Sequence, residues 1–158
     1  MPPPCADAMA DTIRFDEALP IALLRAREAT LSRFRGHVSE HGLTLEQWRV
    51  IRALAEHKQL TTASLSELCV LLPPSLSRIL KTLEQRGLVK SAVGTDRRTK
   101  LTTLTDTGQA LFQKMIGKTR DIHQELEELM GKEELSELIK RLTQLREILD
   151  GSSNLLDH

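Results

Sequence analysis

Ser75, Ser77 and Arg78 stand at the front of a short amphipathic segment that runs from Pro73 to Arg86. Arginine presents two parallel N–H donors that match O6 and N7 of guanine, and serine hydroxyls reach base edges or phosphates. Leu76, Ile79, Leu80 and Leu83 recur at steps of three and four, so the segment is expected to be a helix with one buried face. Pro73 and Pro74 suit its first turn, where a missing amide costs little, and leave the amides that follow for phosphate. Gly87 stops it. Seven residues on, Gly94-Thr95-Asp96-Arg97-Arg98 forms a basic tip between Leu88-Val89 and Leu101–Leu104, which read as hairpin strands. An arginine on such a tip fits the narrow minor groove of A·T-rich duplex, where negative potential concentrates. Asp96 serves either an Asx turn or the aim of Arg98.

An amphipathic helix alone would present the same polar face to water with no partner at all. A helix followed by a basic-tipped hairpin is the layout of a winged helix-turn-helix, and it makes duplex DNA the expected partner. The candidate contacts are Pro74, Ser75, Ser77, Arg78, Lys81, Thr82, Asp96, Arg97 and Arg98.

The formal net charge of the 158-residue chain is zero, yet its distribution is uneven. Residues 73–100 carry seven basic side chains against Glu84 and Asp96, a balance of +5. Residues 121–150 carry nine acidic against four basic, a balance of −5. One region is suited to phosphate and the other is not. A winged helix that docks proteins would not need this concentration of positive charge.

The elements that must hold this face follow from hydrophobic spacing. Asp16 is the expected N-cap of a first helix to about His41, with Ile21, Leu24, Leu31, Phe34 and Val38 as its stripe. Thr44 and Gln47 have capping-box spacing at the start of a second, whose buried face is Trp48, Ile51, Leu54 and Ala55. A third short helix follows Thr62, with Leu65, Leu68 and Cys69 inward. Thr105 caps a fifth helix to about Met130, carrying Leu111, Met115, Ile122, Leu126 and Leu129. In a sixth, Glu133 to Leu149, the residues Leu135, Leu138, Leu142, Leu145 and Leu149 form a heptad seam. Such stripes want a second copy of the chain, with an intramolecular hairpin as the alternative.

The fold class expected is mainly α with a small β wing, a winged helix-turn-helix plus a helical dimerisation region. The domain reading is a disordered leader at 1–14, dimerisation segments at 15–42 and 105–150, the DNA-binding domain at 43–104 and a flexible tail at 151–158. No apolar run is long enough to span a bilayer and no signal-peptide pattern opens the chain, so a cytoplasmic location is expected. Two cysteines without a CxxC fit a reducing compartment.

The run Pro74-Ser75-Leu76-Ser77-Arg78, Leu83-Glu84-Gln85-Arg86-Gly87-Leu88-Val89, Asp96-Arg97-Arg98 and Leu104-Thr105-Asp106-Thr107-Gly108 resembles the MarR family of bacterial transcription regulators. Upstream, Ile21 to Ala29, Leu43 to Arg49 and Cys69 to Leu76 are similar to members that repress aromatic-acid degradation operons. The resemblance implies a homodimeric repressor on a palindromic operator, released by a small aromatic acid. It also implies a cleft between the first two helices. There Arg25 and Arg27 would pair with a carboxylate, His37 would bond a phenol, and Trp48 would wall the ring. Glu17 and Glu28 are rival partners for the two arginines. Response to thiol oxidation at Cys69 is an alternative, against a plain buried role for that side chain. His37 and His41 have a spacing that zinc uses, but nothing completes a metal site. No catalytic or cofactor motif is present, so neither an enzyme nor a cofactor is expected.

Overall fold

The computed structural model describes residues 13–94 and 99–156, so most of the expected leader and the tip residues Asp96, Arg97 and Arg98 lie outside the described residues. A 3-10 turn, Phe15–Glu17, precedes α1 (Leu19–Glu40). Asp16 was expected to cap that helix, and it does not. Its carboxylate takes Arg25 Nη1 at 3.0 Å, and the N-cap is Ala18, which makes no side-chain bond. Pro20 in the first turn removes one of the amides that a cap would have served. The helix closes at Gly42, whose φ of +64 lets the Leu43 amide reach back to the Val38 carbonyl.

Helix α2 (Leu45–His57) starts with the reciprocal bonds expected of Thr44 and Gln47. Strand β1 (Gln59–Thr61) leads to α3 (Thr62–Cys69), and α4 (Pro73–Gln85) completes the helix-turn-helix. Trp48, Val50, Ile51 and Leu54 of α2 are buried, as are Leu65 and Cys69 of α3 and Leu76, Leu80 and Leu83 of α4. Together with Leu88 and Val89 they make one core around which α2, α3 and α4 pack. Leu68 was expected inward and is 49% exposed, because an eight-residue helix points only one or two of its turns at α2.

Strands β2 (Val89–Val93) and β3 (Lys100–Leu104) are the wing, antiparallel with Ser91 opposite Thr102. Strand β1 adds to the outer edge of β3, an unexpected third strand that gives the order β1-β3-β2. Helix α5 (Asp106–Met130) begins at Thr105, whose hydroxyl accepts from the Gly108 amide and donates to the Gly87 carbonyl. Gly108 lies so close to β2's approach that a Cβ there would sit 2.0 Å from the Leu88 carbonyl oxygen.

The chain divides into two compact units within α5, between Gln109 and Ala110. The second unit is the rest of α5 and α6 (Lys132–Leu156), joined at Gly131 with φ of +97. Residues 151–156, expected as part of a flexible tail, continue α6. Gly151 costs the helix about 1 kcal/mol relative to alanine but does not end it, and no proline follows. No helix among the described residues is long and apolar enough to cross a membrane.

Candidate DNA-reading face and effector cavity

Burial of Leu76, Leu80 and Leu83 fixes the rotation of α4 about its axis. Pro74, Ser75, Ser77, Arg78, Lys81 and Thr82 are thereby left exposed. The side chains of Arg78 and Lys81 make no hydrogen bond or ion pair among the described residues. Thr82 is different, since its hydroxyl donates to the Arg78 carbonyl one turn back. The Leu76 amide already bonds the Leu72 carbonyl, so of the amides behind the two prolines only that of Ser75 precedes the helical ladder. The expected supply of free amides for phosphate shrinks accordingly.

Two side chains that the sequence did not single out hold this helix in place. Arg86, at its C-terminal end, donates to the carbonyls of Gly42 at 2.6 Å and His41 at 3.2 Å, tying α4 to the end of α1. Glu84 accepts from the Ser91 hydroxyl on β2 and lies 3.9 Å from Lys100 Nζ on β3, tying α4 to the wing. Their signal in the sequence is faint, because both pair with residues distant along the chain.

A cavity of about 130 Å³ lies between α1 and α2, lined by Leu31, Phe34, Leu45, Trp48, Arg49 and Arg52. Its size is comparable to the roughly 150 Å³ apolar cavities that accept benzene. Aromatic and aliphatic walls beside two guanidinium groups suit a single ring bearing an anion. Of the four residues expected in an effector cleft, only Trp48 lines this cavity. Arg25 bonds Asp16 and lies over the Phe15 ring, 5.8 Å from its centroid. Arg27 bonds Glu28 at 2.9 Å, and the other oxygen of Glu28 takes Arg35. His37 is buried and meets the His41 ring edge to face. The Arg52 side chain makes no hydrogen bond or ion pair among the described residues. Helical spacing already sets Arg52 one turn from Trp48 on α2, but the cavity that the two line exists only where Leu31 and Phe34 of α1 cover them.

Arg49 faces two ways. It lines the cavity, and its Nη1 donates to the Cys69 carbonyl at 2.7 Å. Burial pushes the Cys69 thiol up from its ordinary value, while the charge of Arg49 pulls it part of the way back.

A buried helical trio, an exposed polar row on its last helix and an antiparallel wing define a winged helix-turn-helix DNA-binding protein. Residues 41–99 match the MarR family. The chain is 37% identical over 123 residues to the homoprotocatechuate degradative operon repressor of Escherichia coli, covering 77% of this chain and 83% of that one. It is 34% identical over 134 residues to the HTH-type transcriptional regulator FarR of Neisseria gonorrhoeae, covering 84% and 92%. Among solved structures, NadR in complex with 4-hydroxyphenylacetate superposes with a TM-score of 0.77 at 33% identity, covering 85% of this chain and 98% of NadR. The chain belongs to the MarR family of transcriptional regulators.

Proposed function

We propose that this regulator is a cytoplasmic repressor that binds a palindromic operator as a homodimer and leaves it when a hydroxylated phenylacetate or similar aromatic acid binds. The observation that carries the reading is the cavity beside Trp48, where an apolar slot meets an uncommitted arginine, Arg52. The likeness to a relative named for homoprotocatechuate degradation, and to a structure holding 4-hydroxyphenylacetate, supports the same ligand class. Arg52 supplies the counter-charge for the carboxylate and Trp48 the wall for the ring. Arg25 and Arg27 are already held by Asp16 and Glu28.

On DNA, the exposed row of α4 enters the major groove, with Arg78 reading a base and Lys81 countering phosphate. The wing tip at Asp96, Arg97 and Arg98 reaches the adjacent minor groove. Half-sites lie about one helical turn apart. The aliphatic seam Leu135, Leu138, Leu142, Leu145 and Leu149 joins the two copies. Release by thiol oxidation has less support, because a buried thiol with a raised pKa is a poor nucleophile.

The test is a footprint on the promoter of the protein's own gene, followed by titration with 4-hydroxyphenylacetate. A symmetric protected region should appear and then fade, with quenching of Trp48 emission, the signal of the chain's one tryptophan. Arg52→Ala should weaken the quenching titration about tenfold or more, as loss of a charged hydrogen bond implies. Arg25→Ala and Arg27→Ala should leave it near wild type. Quenching that is lost in Arg25→Ala and kept in Arg52→Ala would move the carboxylate to α1.

A further inference from the structure

Helix α3 ends in an unfavourable backbone conformation. Val70, its C-cap, has φ 51 and ψ 56, the left-handed region that glycine and asparagine occupy readily and a β-branched residue resists. Val70 is 84% exposed, so burial of its side chain does not compensate for that strain. The turn is held instead by hydrogen bonds. The Leu71 amide reaches back to the Ser66 carbonyl, the Ser66 hydroxyl donates to the Leu71 carbonyl, and Arg49 clamps the Cys69 carbonyl. The Cys69 thiol returns a long contact to the Arg49 carbonyl, Sγ to O 3.9 Å. Two residues after Leu71 the chain enters α4 at Pro73. The geometry of this turn therefore sets where the DNA-reading helix begins.

Arg49 belongs to both ends of that chain of contacts, because its side chain also lines the Trp48 cavity. We propose that Arg49 is the positioning residue that couples the cavity to the DNA-reading helix: it holds the strained α3–α4 turn, and an anion in the cavity weakens that hold. A carboxylate beside the guanidinium offers a stronger acceptor than a neutral carbonyl, and drawing the rigid guanidinium fork toward it lengthens the Nη1 bond to Cys69. As the bond to Cys69 weakens, Val70 relaxes out of the left-handed region and the start of α4 moves. Ligand and operator then favour different states of one turn, which is what coupling between two sites requires. The anion step of this proposal rests on the aromatic-acid reading of the cavity, whereas the positioning step stands on the turn alone.

The test compares operator affinity with and without saturating 4-hydroxyphenylacetate, and follows ligand binding separately by Trp48 emission. Wild type should lose affinity about thirtyfold with ligand, the size of a typical coupling. Arg49→Gln should bind operator more weakly than wild type without ligand, and lose only about threefold or less when ligand is added. Val70→Gly placed in that background should restore ligand-free affinity, since glycine takes the left-handed turn without strain. An arginine that acted elsewhere in the fold would not be rescued by a glycine in this turn. Val70→Gly alone should also show a blunted ligand response, and it serves as the test if Arg49→Gln does not fold. Full release retained in both variants, with emission quenching intact, overturns the coupling and leaves the cavity reading standing. No quenching in wild type overturns the cavity reading and the anion step with it. Failure of the glycine rescue then decides against the positioning step as well.

Discussion

Arg78, near the middle of α4, and Arg86, at its C-cap, lie eight residues apart, and their surroundings divide their roles. Arg78 is exposed and uncommitted among the described residues, whereas Arg86 spends two N–H groups on the carbonyls that end α1. Those carbonyls carry the negative end of the α1 dipole, so a guanidinium there is favourable twice over. Arg78→Ala should cost operator binding about 1–3 kcal/mol, relax preference at one base per half-site, and leave thermal unfolding unchanged. Arg86→Ala should do the reverse. It should lower stability by about 1–2 kcal/mol through two lost hydrogen bonds, with a smaller and sequence-independent effect on DNA. Calorimetry and gel shift on both variants check the division. Equal effects of both on operator preference would mean that Arg86 also reaches a base.

At the scale of elements, local chemistry was legible wherever both partners lie within one turn of each other. Thr44 with Gln47 announced the start of α2, and Leu76, Leu80 and Leu83 announced the buried side of α4. What escaped depends on distant segments. Strand β1 is three residues long and exists because β3 pairs with it, Gln59 opposite Thr103. Arg52 reads as one more charge on an amphipathic helix until Leu31 and Phe34 are laid beside Trp48. Asp16 misled because a good capping residue stood near a helix start that a proline already served. Gly108 shows the same dependence with a sharper consequence. Its place in Leu104-Thr105-Asp106-Thr107-Gly108 marks a helix start, but the need for glycine comes from the Leu88 carbonyl pressed against it. Gly108→Ala should therefore destabilise by roughly 2–3 kcal/mol, although alanine is the better helix former, because the backbone of the wing must move. Denaturant titration would show it as a lower midpoint with an unchanged slope. A stabilised variant would mean that this approach relaxes at little cost.

For the whole molecule, α6 poses a question that one copy of the chain does not answer. Leu138 is 41% exposed, Leu142 40% and Leu149 57%, in a helix whose leucines keep a steady heptad spacing. Burying such a row against an equivalent row is the ordinary resolution, and a two-fold pair of winged helices matches the symmetry of a palindrome. The exposure also makes the test clean. Because Leu142 is already partly in water within one chain, Leu142→Glu should leave the helix content and the fold of the protomer nearly intact, and glutamate is itself a good helix former. Across a dimer seam the same change places two carboxylates in an apolar contact, where unpaired charge is costly. Sedimentation should shift from dimer to monomer at micromolar concentration. Operator affinity should fall by about a hundredfold or more, since linkage of two half-site contacts raises avidity by that order. The isolated half-site should still bind at its weak intrinsic affinity, because the DNA-reading face belongs to a different unit of the chain. A variant that remains a dimer would place the interface on other surfaces, with the exposed leucines of α1, Leu19, Leu23 and Leu24, as the next to change.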